Sequence, residues 1–299
     1  ELLHSDWPGN NKIILREPRR MAARSVAQRM ADLLEEEVGK TVGYRVRFDQ
    51  RISDQTRIEV VTEGILTRRL QQVSTLEGVG MVIFDECHER SLHSDLSLAL
   101  CRDLQLILRE DLRILIMSAT LDGAQLSSIL DNAPIITSKG RQYPIDVRYN
   151  PIDTNAHISA QVTSVINKTL KEETGDILVF LPGVREIQQT ADALSTIHSD
   201  ISIRPLYGEL SLNAQQEAIK PDAQLRRKVV LATSIAETSL TIEGIHIVID
   251  SGLARVPKFD PNSGMTKLDT VKVTQDAADQ RAGRAGRLGP GIAIRLWSE

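Results

Sequence analysis

The sequence predicts an α/β protein of two similar halves, each built on a mostly parallel sheet. Three observations carry that prediction. Short apolar, β-rich runs alternate with helical patterns along the whole chain, as in repeated β-α-β units. The length of 299 residues suits two domains better than one hydrophobic core. The run Met81-Val82-Ile83-Phe84 is apolar on both faces, as a strand buried between two helix layers must be, and it ends in Asp85-Glu86-Cys87-His88. Ligands of open α/β sheets bind beyond the carboxyl ends of the strands, so this strand would deliver two adjacent carboxylates to a site.

The first half, expected over residues 1–137, opens with a strand at Lys12 to Leu15. Arg16-Glu17-Pro18-Arg19-Arg20 and an Ala/Met-rich helix to about Glu37 follow. Strands are expected at Tyr44 to Phe48 and Ile58 to Val61. Thr62-Glu63-Gly64 then opens a helix, with Thr62 as its N-cap. After the Asp85-Glu86 strand come a helix over Leu96 to Leu108 and a strand over Arg113 to Met117, which ends in Ser118-Ala119-Thr120.

The second half, expected over residues 138–299, follows a turn-rich linker at Gly140 to Pro144. Asp176 to Leu181 is a strand closed by Pro182-Gly183. Ser202 to Leu206, Lys228 to Ala232 and His246 to Asp250 are three more. Arg255 to Phe259 and Met265 to Val273 flank Asp260-Pro261-Asn262-Ser263-Gly264, which reads as a β-hairpin. A helix over Asp276 to Arg284 and a strand over Ile292 to Leu296 complete the series. Two such α/β layers facing each other would form a ligand cleft.

Composition narrows the function classes. Apolar residues reach 41%, enough for two well-formed cores, whereas aromatic residues are only 3%, so aromatic base stacking is not expected. The net charge of -4 supplies no global basic field, and any nucleic-acid contact must use local arginines. The two cysteines, Cys87 and Cys101, have no metal-ligand spacing and suit a reducing compartment. No apolar stretch approaches membrane-spanning length and no signal-peptide pattern opens the chain, which makes a cytoplasmic protein without membrane association the default expectation.

Three segments carry candidate chemistry. Asp85 and Glu86 could divide labour, one holding a divalent metal and the other orienting or deprotonating a water; alone, they could equally cap the next helix. Gln280-Arg281-Ala282-Gly283-Arg284-Ala285-Gly286-Arg287 places three arginines at spacing three on a helix or tight turn. Arginine forks match phosphate oxygens bidentately, although a solvated basic face would look similar. The two glycines favour a functional turn, since each costs about 1 kcal/mol in a plain helix. The hydroxyl-rich loop from Thr233 to Thr241 suits phosphate or ribose contacts, or simple capping.

In order, the segments PRR (18–20), TEGIL (62–66), DECH (85–88), SAT (118–120), FLPG (180–183), ATSIAETSLTIEGI (232–245) and QRAGRAGR (280–287) resemble superfamily 2 helicases of the DEAH-box type. HERSLHSD after DECH, LYGELS at 206–211 and VPKFDPNSG at 256–264 resemble the bacterial HrpB-type subgroup. The resemblance implies two tandem RecA-like domains, the first truncated at its N-terminus, with ATP and Mg²⁺ between them and single-stranded RNA or DNA across their top.

It also implies roles. Asp85 would hold Mg²⁺ through water and Glu86 would activate the attacking water, both lying at the metal. His88 would couple the nucleotide site to Gln280. Arg284 and Arg287 would be arginine fingers, and Ser239 would sense the nucleotide state. Arg29 would lie against the adenine, and Ile219 stands where eukaryotic members carry a phenylalanine. Arg19, Arg20, Thr62, Glu63, Gly64, Thr233 and Thr241 would line the nucleic-acid path. Ser118, Ala119 and Thr120 would link hydrolysis to strand handling, and the hairpin at about 253–273 matches one that helps separate strands.

One element of the family is missing. Gly39-Lys40-Thr41 is the chain's one GKT, but Leu34 stands five residues before Gly39 where a phosphate loop G-x-x-x-x-G-K-[ST] requires glycine. It also follows a helix rather than a strand, so it reads as a decoy. The true loop is expected upstream of Glu1, and this chain alone is expected to hydrolyse ATP poorly. The competing expectations are a non-catalytic nucleic-acid-binding module and a translocase that never separates strands.

Overall fold

A computed structural model describes residues 11–72, 75–118, 123–138, 140, 143–153, 156–237 and 242–299. The chain divides into two compact units, Glu1–Ser138 and Lys139–Glu299.

The first unit is a six-stranded sheet flanked by helices. Its elements in order are β1 (Lys12–Glu17), α1 (Arg20–Leu33), β2 (Val42–Val46), β3 (Asp49–Arg51), β4 (Ile58–Thr62), α2 (Glu63–Gln72), β5 (Val79–Phe84), α3 (Leu92–Ile107), β6 (Arg113–Ile116) and α4 (Gly123–Ile129). The strand order is β3-β2-β4-β1-β5-β6, parallel except for the β2–β3 hairpin. β4 and β5 are buried along their whole length, as parallel strands covered on both faces must be. The small face of α1 (Ala23, Ala27, Ala31) packs on Leu15, Val42, Tyr44 and Val60. On the opposite side, Leu66 and Leu70 of α2 and Cys101 and Leu104 of α3 pack on Ile14, Val61, Val82 and Phe84.

Several boundaries differ from the sequence expectation. The second strand stops at Val46, because Phe48 turns the chain with φ 67° and is fully exposed. Helix α1 ends at Leu33, and Glu35 (φ 55°) prevents its continuation to Glu37. Thr62 closes β4 rather than capping α2 from outside the sheet. Helix α3 begins at Leu92, earlier than expected, because Ser91 Oγ accepts from Ser94 N at 3.0 Å and caps it.

The second unit comprises β7 (Ile145–Tyr149), α5 (Ile158–Glu172), β8 (Asp176–Phe180), α6 (Val184–Ile197), β9 (Ser202–Leu206), α7 (Leu212–Ile219), β10 (Lys228–Ala232), β11 (Ile245–Asp250), β12 (Leu253–Asp260), β13 (Met265–Lys272), α8 (Gln275–Gly283) and β14 (Gly291–Arg295). Its main sheet runs β7-β14-β11-β8-β10-β9, all parallel. Helices α5 and α6 cover one face through Val162, Ile166, Ile187 and Leu194, against Ile177, Val179, Leu231 and Ile249. β12 and β13 form the expected antiparallel hairpin, with Pro257 opposite Leu268 and Phe259 opposite Thr266. Helices α5, α6 and α7 and strand β7 carried no sequence assignment.

Lys228 fixes the end of α7. Its side chain is fully buried, and Nζ lies 2.7 Å from the carbonyl of Lys220, 3.2 Å from Ala218, 3.3 Å from Glu243 and 3.4 Å from Ile219. An ammonium is well suited to the unpaired carbonyls of a helix C-terminus.

Candidate functional site

In the first unit, the singled-out segments converge because the sheet is parallel. β4, β1, β5 and β6 are consecutive neighbours. Their carboxyl ends lead into Thr62-Glu63, Pro18-Arg19-Arg20, Asp85-Glu86 and Met117-Ser118, respectively. One edge of the sheet therefore carries four segments that lie up to about 100 residues apart in the chain.

The turn after β5 is tightly specified. Glu86 adopts φ 51°, a left-handed conformation costly for a residue with a Cβ. Asp85 Oδ1 accepts from Glu86 N at 2.8 Å, and Cys87 N donates to Met117 O at 3.1 Å. His88 lies between the two strand ends: Nε2 is 3.4 Å from Glu86 Oε2, and Nδ1 is 3.4 Å from Ser118 Oγ. His88 is thus placed to relate the carboxylate turn to the end of β6. Cys87 is buried beneath this turn, and burial pushes its thiol up to about 11.

Arg19 is half-buried and pairs with Glu89 at 3.2 Å, while Arg20 and Gly64 are exposed. Glu63 has both carboxylate oxygens engaged within the unit: Oε1 pairs with Arg16, and Oε2 accepts from Ser91 Oγ at 2.7 Å. Arg29 stands exposed on α1. Gly39-Lys40-Thr41 lies in the turn between α1 and β2, where Thr41 N donates to Glu36 Oε2 at 3.1 Å. That amide is already used, and the turn follows a helix.

In the second unit, the arginine run is not a solvated basic face. Arg281 is fully buried and Arg284 is 5% exposed, whereas Arg287 is exposed. Helix α8 ends at Gly283, so the run crosses a helix end rather than following one helical face. Arg281 donates through Nε to Glu237 Oε1 at 2.7 Å and through Nη1 to Asp250 Oδ1 at 2.7 Å. Its guanidinium also lies 4.8 Å from the centre of the Phe180 ring. Arg284 Nε donates to Glu237 O at 2.8 Å. Burial pulls the Asp250 carboxyl upward against the opposing pull of Arg281. Gly286 is required by close approach: a Cβ there would stand 2.8 Å from Tyr143 O.

Gln280 is half-buried on α8, and Thr233 is half-buried after β10, its N–H donating to Leu206 O at 3.2 Å. Ile219 ends α7. Ser239, Thr241, Ala119 and Thr120 lie outside the described residues. At the root of the hairpin, Arg255 pairs with Glu186 of α6 at 3.0 Å. Sequence reasoning missed Arg16, Glu237 and Asp250 and gave Arg281 no separate role. The available signal was a charged residue inside or at the end of an otherwise apolar strand, as at Arg16 and Asp250.

Among the described residues, no group of three or more His, Cys, Asp or Glu side chains gathers to cage a metal, and no helix is long and apolar enough to cross a membrane.

Two α/β units on mostly parallel sheets, one carrying a paired-carboxylate turn and the other a clamped arginine run, have the architecture of tandem RecA-like domains. Comparison with known proteins gives the family. Residues 3–129 match the DEAD/DEAH box helicase model and residues 160–289 the helicase conserved C-terminal domain. The chain belongs to the DEAD/DEAH box helicases and is of the HrpB-like DEAH kind. It is 55% identical over 291 residues to the ATP-dependent RNA helicase HrpB of Escherichia coli (strain K12), covering 97% of this chain and 36% of that protein. It is 43% identical over 289 residues to HrpA of the same organism, covering 95% of this chain and 22% of that protein. A crystal structure of the Escherichia coli DEAH/RHA helicase HrpB superposes with TM-score 0.92 at 53% identity, over all of this chain and 38% of that one. The chain thus spans 36% of the length of HrpB and 22% of that of HrpA.

Proposed function

We propose that this chain is the motor core of an ATP-dependent helicase that acts on RNA. The observation that carries the reading is the Asp85–Glu86–His88–Ser118 arrangement at the carboxyl ends of β5 and β6. It supplies a metal-side carboxylate, a base for water and a polar link to a second strand end. The HrpB and HrpA relatives are RNA helicases by name, which favours RNA over DNA.

In this reading Asp85 would hold Mg²⁺, with Glu86 beside it. Mg²⁺ retains several waters and uses one or two carboxylates plus phosphates, so a site without a protein cage fits it. When bound, the ion neutralises charge on the phosphates. Glu86 accepts the proton of the attacking water, and His88 and Gln280 couple that event to strand handling. Arg284 and Arg287 act as fingers on the γ-phosphate, with Arg281 holding their turn in place. Ser239 senses the nucleotide and Arg29 contacts the base. Arg19, Arg20, Thr62, Gly64 and Thr233, with Thr241, line a backbone-reading path in which Glu63 keeps its neighbours in position. Ser118, with Ala119 and Thr120, transmits hydrolysis to that path. Contacts to phosphate and sugar give weak sequence preference and salt-sensitive binding.

The 299 residues contain no G-x-x-x-x-G-K-[ST] run, so this stretch by itself should hydrolyse ATP poorly. The test is ATPase of the full gene product with and without single-stranded RNA or DNA, beside Arg287→Ala. RNA-stimulated turnover, with kcat falling more than KM rises in the variant, supports the reading. Nucleic-acid binding without any turnover favours a binding module with a vestigial nucleotide site.

A further inference from the structure

We propose that Arg16, buried inside β1, is a positioning residue that holds the catalytic turn at Asp85-Glu86 and ties it, through Glu63, to the nucleic-acid segment after β4. The inference rests on the preceding reading of Glu86 as the water-activating base.

Arg16 is fully buried, an unusual state for an arginine in an apolar strand. Its Nη1 donates to the carbonyl of Asp85 at 2.6 Å, and its own carbonyl accepts from Asp85 N at 3.1 Å. Asp85 is therefore held on both backbone groups by one residue of the neighbouring strand. The carbonyl that Arg16 grips belongs to the peptide joining Asp85 to Glu86, immediately before the left-handed φ of Glu86. Backbone strain persists only where the surroundings over-determine it, and a charge-assisted bond to that peptide is such a determinant. Nη2 pairs with Glu63 Oε1, and Glu63 Oε2 accepts from Ser91 Oγ, the cap of α3.

The guanidinium fork thus joins the turn after β5 to the first residue of α2, and Glu63 extends the link to the cap of α3. Nε has no hydrogen-bond partner among the described residues, so burial is compensated only through the two Nη groups. A lysine could not serve in its place, because an ammonium on a flexible stem does not reproduce two divergent planar donors. If nucleic acid displaces Thr62-Glu63-Gly64, the fork carries that displacement to the peptide that aims Glu86.

The test compares Arg16→Lys, Glu86→Gln and the wild type in the full gene product. Arg16→Lys keeps the charge. It should bind nucleotide with an unchanged Kd, yet lose between about tenfold and a hundredfold in RNA-stimulated kcat at little change in KM, as expected when a reacting group is misaimed. If Arg16→Lys does not fold, Arg16→Met/Glu63→Gln removes both buried charges and should show the same kcat loss. A folded Arg16 variant with wild-type kcat and RNA stimulation overturns the proposal. So does a loss confined to thermal stability or nucleotide affinity. Turnover surviving in Glu86→Gln instead overturns the underlying reading of the site.

Discussion

The two candidate edges of this chain are built in opposite ways. In the first unit the carboxylates lie half-exposed at strand ends, held mainly through the backbone: Asp85 by Arg16, Glu86 by a left-handed turn, Cys87 by Met117 O. In the second unit two of the arginines are driven inward and clamped by their side chains: Arg281 on the carboxylates of Glu237 and Asp250, Arg284 on the backbone carbonyl of Glu237. For the proposed base Glu86, support comes largely from behind, through the main chain of the turn. An arginine that meets a phosphate must keep one geometry among many rotamers, and burying its neighbours supplies that order. Of the three arginines only Arg287 is left exposed.

The largest stability effect should follow from breaking the clamp. Arg281→Ala leaves Asp250 and Glu237 without their buried partner, and one-sided removal of a buried pair costs about 3–5 kcal/mol. Urea unfolding of the second unit should register that loss; a change near zero would mean that the clamp does not order the arginine turn. Lys228→Met comes next, because four carbonyls lose one ammonium, at about 1–3 kcal/mol, without direct loss of any candidate phosphate contact. By contrast, Arg90→Ala breaks only the exposed pair with Asp95, worth about 0.2–1 kcal/mol.

A pH titration sharpens the same contrast. Asp222 is held below the usual carboxylate range by Arg226 first and then by Ser202. A group with a lowered folded pKa contributes stability above its unfolded value of about 3.9, and that contribution disappears as pH falls below it. Asp222→Asn should therefore flatten the acid limb of the stability curve and leave the alkaline limb alone. The smallest expected effect concerns the thiols. Burial raises Cys87 to about 11 and Cys101 to about 12, so neither should alkylate near pH 8 until the protein unfolds.

Much of this was legible in the sequence because it is local. Short apolar, β-rich runs such as Met81 to Phe84 read as strands buried on both faces, and the parallel topology then brings their carboxyl ends together. The turn residues Asp260 to Gly264 announced the hairpin. What was not legible depends on pairing across the chain. Arg16 meets Glu63 47 positions away, and Arg281 meets Glu237 and Asp250 at 44 and 31 positions. A charge inside an apolar strand reads locally as an anomaly; only the fold supplies the partner that makes its burial tolerable. Strand β7 was missed for the opposite reason: Ile145–Tyr149 is a sheet edge with exposed Asp146, Val147 and Arg148, so it lacks the continuous apolar signal of its neighbours.

The most direct measurement is single-turnover hydrolysis and equilibrium nucleotide binding of Glu86→Gln in the full gene product, with RNA present. Removing the base while leaving the phosphate contacts should lower turnover by about 10² to 10⁴ and leave the Kd for ATP close to wild type. A variant that hydrolyses ATP at the wild-type rate, or that loses ATP binding as well, would contradict the proposed division between a carboxylate turn that performs chemistry and an arginine turn that grips phosphate.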